Sequence, residues 1–208
     1  MLRKEKLEEL KRNIEELKTI DIIERNVKEE NKFLQSKAYY FKLNNGKTIS
    51  REKLIKDGKD GSASIIVPIV NNEILTVIEP RVFTKLTVGV GFPAGYIENG
   101  EDYVKGAIRE LKEETGYIPG KMIEIDSFYQ DEGCSSALNH ILVALNCKKV
   151  DKQSLDNGEF IKYMLFSYDE LLELEQLQFI MGSNTKLALE KAKIYMKGNG
   201  KWKNLMLN

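Results

Sequence analysis

The stretch GYIENGEDYVKGAIRELKEETGY, Gly95 to Tyr117, constrains this chain more than any other. Glu110, Glu113 and Glu114 fall within five positions. On a helix, residues four apart share a face, so Glu110 and Glu114 stack and Glu113 sits beside them. Three like charges this close repel, and Arg109 and Lys112 offset them only in part. A hard divalent cation, which takes oxygen ligands, removes that cost; a solvated acidic face is the alternative. Ala107, Ile108 and Leu111 supply an apolar side that anchors such a helix, about Asp102 to Thr115, to a sheet. Gly116 suits the left-handed residue that ends a helix. Gly95, closing Pro-Ala-Gly, lets the backbone bend close to the acidic side.

The bulk properties exclude several classes. Lysine plus arginine and aspartate plus glutamate number 32 each, so no global basic field points to nucleic acid. Cys134 and Cys147 form no CxxC pair and no disulfide framework, which fits a reducing compartment. With His140 the one histidine, a zinc site built on histidines is excluded, and His140 reads as a strand residue. The first 18 residues lack an apolar signal region, and no apolar run reaches membrane-spanning length. The expectation is a cytoplasmic protein with no membrane or nucleic-acid partner.

The rest of the chain interleaves strands and helices. Leu7, Leu10, Ile14 and Leu17 recur at three and four, predicting a helix over 3–18 packed on its own domain or on a partner subunit. From Ala38, AYYFKL and KTISREKL flank Asn45-Gly46, which suits a type I′ hairpin turn. SASIIVPIV and EILTVIEP flank Asn71-Asn72 as a second hairpin. LTVGVGFPAGYIE is an extended, glycine-rich stretch ahead of the acidic helix. MIEIDSFY, LNHILVALNC and EFIKYMLFS read as three further strands. SYDELLELE starts a short helix with a serine cap, and SNTKLALEKAKIYMK is a last amphipathic helix capped by Ser183 or Asn184. This is an α+β pattern, a mixed sheet with helices on its faces.

The motif itself, Gly95, five residues, Glu101, seven residues, then RELKEETG, resembles the signature of the Nudix hydrolases. Seven fixed positions are met: Gly95, Glu101, Arg109, Glu110, Glu113, Glu114 and Gly116. Only Tyr117 departs, where an aliphatic residue is usual. The resemblance implies the Nudix fold, a mixed β-sheet sandwiched between helices, over residues 37–198. An N-terminal helical extension (1–36), an N-terminal hairpin (37–50) and a tail (199–208) would complete the chain. It implies Mg²⁺ or Mn²⁺ held by Glu110 and Glu114, with Glu113 and the Ala94 carbonyl assisting. Arg109 and Glu113 are the catalytic candidates within the motif, and Glu101 and Gly116 are structural.

GFPAGYIENGED, VIEPRVF and GEFIKYMLFSYDELLEL resemble segments of the ADP-ribose pyrophosphatase branch. Carried over by position, Arg81 and Gly95, with Arg51 and Glu52 as further candidates, would bind substrate. The implied reaction is hydrolysis of ADP-ribose or a related nucleoside diphosphate sugar to a nucleoside monophosphate and a sugar phosphate. The implied assembly is a homodimer. The branch carries a glutamate where this chain has Ala137; Glu132, with Asp131 beside it earlier in the same loop, is the candidate for the base. A Nudix module that binds a nucleotide sugar without cleaving it is the alternative, as is a hydrolase of a dinucleotide, coenzyme A or an oxidised nucleoside triphosphate.

Overall fold

A computed structural model describes residues 2–28 and 32–198; the expected tail at 199–208 lies outside them. Helix α1 is Lys4–Leu17, strands β1 and β2 are Leu34–Lys42 and Thr48–Lys56, and β3 and β4 are Ala63–Val70 and Glu73–Pro80. Short strands β5 (Val88–Gly91) and β6 (Ala94–Tyr96) lead into α2, Tyr103–Thr115. Then come β7 (Tyr117–Ile118), β8 (Lys121–Tyr129), β9 (Leu138–Leu145), β10 (Lys148–Lys149), β11 (Lys162–Phe166), α3 (Tyr168–Gln176) and α4 (Ser183–Gly198).

The main sheet runs β11-β4-β3-β9-β8, with β5 beside β4 and β6 beside β3. β3 and β9 pair in parallel and the other pairs are antiparallel, so the sheet is mixed. β3 and β9 are apolar at nearly every position because both faces are covered. Ile65, Val67, Ile141 and Val143 point to the side where Leu10 of α1, Leu171 and Leu174 of α3, and Leu189 and Ala192 of α4 pack. Ile66, Leu142 and Ala144 point to the other side, against Ala107 and Leu111 of α2. The expected sandwich is present.

Helix α1 lies on this body. Leu10 is fully buried, and Leu7, Ile14 and Leu17 pack beside it. Lys6 donates to Glu73 (2.6 Å) and to Glu170 (2.9 Å), tying the helix to β4 and α3.

Of the two expected hairpins, the second forms at Asn71-Asn72 as read, and the first departs at its turn. Asn71 and Asn72 have φ of 46° and 69°, the pair of positive values that a type I′ turn requires. In the first hairpin only Gly46 is left-handed (φ 82°), while Leu43 pairs with Lys47 and Gly46 donates to the Leu43 carbonyl. A turn through Asn44 and Asn45 followed by a glycine bulge replaces the expected type I′ turn, because the strands end at Lys42 and Thr48 and leave five residues to close the loop. This hairpin is a separate two-stranded sheet, longer than 37–50 and largely exposed. The last helix also departs from expectation. It starts at Ser183, and Lys186 N–H donates to the Gly182 carbonyl, so neither Ser183 nor Asn184 stands in the cap position.

Candidate active site

The backbone ahead of α2 sets the site. Asp102 caps the helix, its side chain accepting from the Val104 and Lys105 N–H groups at 3.1 Å. Gly116 ends it at φ 76°, donating to the Lys112 carbonyl. A Cβ there would also strike the Asp151 carbonyl, so only glycine fits. Ala107 and Leu111 face the sheet, but Ile108, expected beside them, is 37% exposed. The helix is rotated so that Glu114 (5% exposed) and Thr115 turn inward instead. Depth within the fold, which the apolar pattern does not carry, decides this.

Arg109 organises the acids. Its Nε and Nη2 donate to the two oxygens of Glu101, each at 3.0 Å, as a fork. Its Nη1 donates to Glu110 (2.7 Å) and Glu113 (3.0 Å). Arg109 therefore bridges to the loop ahead of the helix and along the helix at once. The Glu101 carboxyl is held below its usual range by the Arg109 hydrogen bond. The Glu110 carboxyl stands where a Cβ on Gly95 would be, 1.9 Å from it, which explains that glycine.

Burial pushes the Glu110 and Glu79 carboxyls up, and pushes Glu114 well up, with Glu79, Glu110 and Glu159 adding repulsion at Glu114. One Glu114 oxygen, Oε2, is buried without a hydrogen-bond partner. An uncompensated buried carboxylate oxygen beside other carboxylates is the donor set a hard divalent cation prefers. Among the described residues no three acidic, histidine or cysteine side chains are already gathered as a metal cage. Glu110 and Glu113 are engaged by Arg109 instead.

These groups line a cleft of about 550 Å³ with Ala94, Gly95, Arg81, Asn139 and Asn184. Arg81 pairs with Glu79, and its stem lies on Gly89, where a Cβ would meet its Cγ at 2.8 Å. Two acids that sequence reasoning missed, Asp156 and Glu159, also line the cleft. Their loop is docked on α2: Gln153 Nε2 donates to the Glu114 and Ile161 carbonyls, and Ser154 N–H donates to the Glu113 carbonyl. Glu159 had one sequence signal, its place in the GEFIKYMLF segment, and Asp156 lies ahead of that segment.

Other expected residues lie elsewhere. Glu132 is exposed in the loop after β8 and does not line the cleft. Arg51 and Glu52 are exposed on β2, also outside it, Arg51 donating to the Ser50 carbonyl. Ala137 is fully buried. His140 is on β9, stacked on Tyr103 (4.1 Å between centroids) and bonded to Glu124 at 2.7 Å.

A model of the NUDIX domain matches residues 60–186, which holds the whole cleft-forming helix and its sheet. The chain belongs to the Nudix family. It is 30% identical over 149 residues to the ADP-ribose pyrophosphatase of Bacillus subtilis (strain 168), covering 71% of this chain and 78% of that one. It is 34% identical over 150 residues to the methanol dehydrogenase activator of Bacillus methanolicus, with the same coverage. Among solved structures, an ADP compounds hydrolase aligns with a TM-score of 0.69 at 22% identity, over 87% of this chain and 93% of that one, a likeness of fold. In this Nudix chain α2 is the motif helix, and no described helix is long and apolar enough to cross a membrane.

Proposed function

We propose that this Nudix enzyme hydrolyses the pyrophosphate bond of ADP-ribose or a related nucleoside diphosphate sugar, giving a nucleoside monophosphate and a sugar phosphate. The observation that carries the reading is the buried, unpartnered Glu114 Oε2 beside the partly buried Glu110 and Glu113 on the motif helix. The Bacillus subtilis relative supports the substrate class. Glu110, Glu113, Glu114 and the Ala94 carbonyl are the groups that would hold Mg²⁺ or Mn²⁺. A divalent ion there supplies charge neutralisation on the diphosphate and acidifies a bound water.

The chain's own groups do the rest. Arg109 keeps Glu110 and Glu113 in reach of the cleft while Glu101 fixes its fork. Arg81, half-exposed at the cleft wall, can hold two diphosphate oxygens. Glu159 lines the cleft and its charge is felt at Glu114, so it, in place of Glu132, is positioned to take the proton of the attacking water. Glu159 supports the hydrolase reading over the binding-only alternative, which rests on the buried Ala137.

The first hairpin exposes Tyr40 (83%) and half-exposes Phe41 on strands that, among the described residues, form a sheet only with each other. This supports a homodimer in which Arg51 and Glu52 reach the partner's cleft. The test is turnover by purified protein with Mg²⁺ or Mn²⁺ against ADP-ribose, other nucleotide sugars, dinucleotides and coenzyme A. ADP-ribose or a nucleotide sugar is expected to be cleaved fastest. No turnover of any of them with either ion overturns the reading. Light scattering that finds a monomer removes the dimer.

A further inference from the structure

Asn139 sits on β9 between Ala63 of β3 and Phe128 of β8 in register. It is 1% exposed, and neither amide atom, Nδ2 nor Oδ1, has a hydrogen-bond partner. It nevertheless lines the catalytic cleft, as do Lys56 and Gln130, which join by a 3.2 Å hydrogen bond. A buried amide with both functions idle is a standing cost, and each such group calls for an explanation. Ala63 beside it has no side chain beyond Cβ to fill the space. Asn184, at the start of α4, lines the same cleft with its Oδ1 also buried and unpartnered.

The chemistry of the amide narrows what it meets. One function donates and the other accepts. A phosphate oxygen would satisfy Nδ2 and leave Oδ1 facing an anion. A hydroxyl, which both donates and accepts, satisfies either function, and a pair of hydroxyls satisfies both. The carboxylates of α2 and Arg81 already provide for the diphosphate, so a neutral polar partner remains. We infer that Asn139 is a specificity-determining residue that hydrogen-bonds sugar hydroxyls of the substrate. The inference rests on the proposed nucleoside diphosphate sugar reading and goes beyond it by assigning the sugar to the Asn139 wall of the cleft.

Asn139→Leu keeps the shape and removes both polar functions. The full chain with Mg²⁺ is compared, wild type against N139L, on ADP-ribose and on an ADP alkyl ester of similar length without hydroxyls on the second group. Binding of α,β-methylene ADP-ribose is measured by calorimetry, and melting temperature without ligand. The kcat/KM ratio of ADP-ribose to alkyl ester is expected to fall about tenfold. The methylene analogue should bind correspondingly weaker, and the melting temperature should hold or rise because an idle buried amide is gone.

An unchanged ratio with unchanged analogue binding overturns the inference. So does a lower melting temperature with equal loss on both substrates, which marks Asn139 as purely structural. If the wild type binds the analogue but cleaves neither substrate, the hydrolase reading fails while weaker binding by N139L still supports the contact. If the wild type does not bind the analogue, both fail.

Discussion

Two acidic clusters in this molecule carry similar residues and opposite balances. At the α1 dock, Glu73 and Glu170 share the Lys6 ammonium, and Glu170 also closes the capping box of α3 with Ser167. Despite its burial, Glu170 is held below the usual carboxylate range by the Ser167 backbone N–H and by Lys6. In the cleft, Glu79, Glu110 and Glu114 are pushed up, and one oxygen of Glu114 is left bare. The first cluster is complete and holds an element in place. The second is incomplete, and a site with that deficit stabilises whatever cation enters it. Charge balance, more than charge count, separates structure from function here.

The largest effect should come from filling that deficit without charge. Glu114→Gln is expected to cost about 10²–10³-fold in turnover with Mg²⁺, yet to raise the melting temperature in chelator, because a buried repelled carboxylate is removed. Kinetics and calorimetry on the same preparation check both signs; a fall in stability would break the contrast. Next, Glu159→Gln should lower kcat about 10²-fold, whereas Glu132→Gln stays within about twofold; equal losses would return the role to the exposed loop.

Breaking the balanced cluster should act on folding instead. Lys6→Met leaves the Glu170 carboxylate short of a partner and is expected to cost about 1–3 kcal/mol of stability, read by denaturant unfolding, with turnover per folded molecule preserved. The smallest effect separates the clusters by pH. Glu170 is depressed in the fold, so its contribution is present above the ordinary glutamate value and is lost as pH falls through its lower folded value. Glu114 and Glu110 are raised, so the metal-free fold is relieved as pH falls through their raised values toward the ordinary one. Urea midpoints between neutral pH and about pH 4 should therefore gain more in wild type than in E114Q; identical slopes would remove the distinction.

The motif helix was legible because its information is local. A left-handed Gly116 and acids at three- and four-residue spacing need no distant partner to be read. Strands β3 and β9 were legible from their apolar runs. Ile108 was misplaced because an apolar residue near a helix face does not say how the helix is rotated against its sheet. The turn at Asn45-Gly46 was misread because strand register, set by cross-strand pairing, decides how many residues the loop must close.

The amino-acid order alone determined the family, the mixed sheet with its helices, and the acids on one helical turn, since each depends on spacing within a short segment. Only the tertiary structure decided which further groups face those acids. Glu159 arrives through a loop clasped by Gln153, Glu79 comes from β4, and Asn139 comes from β9. Those meetings depend on contacts between residues tens of positions apart, whose geometry emerges only when the sheet is assembled and both its faces are buried.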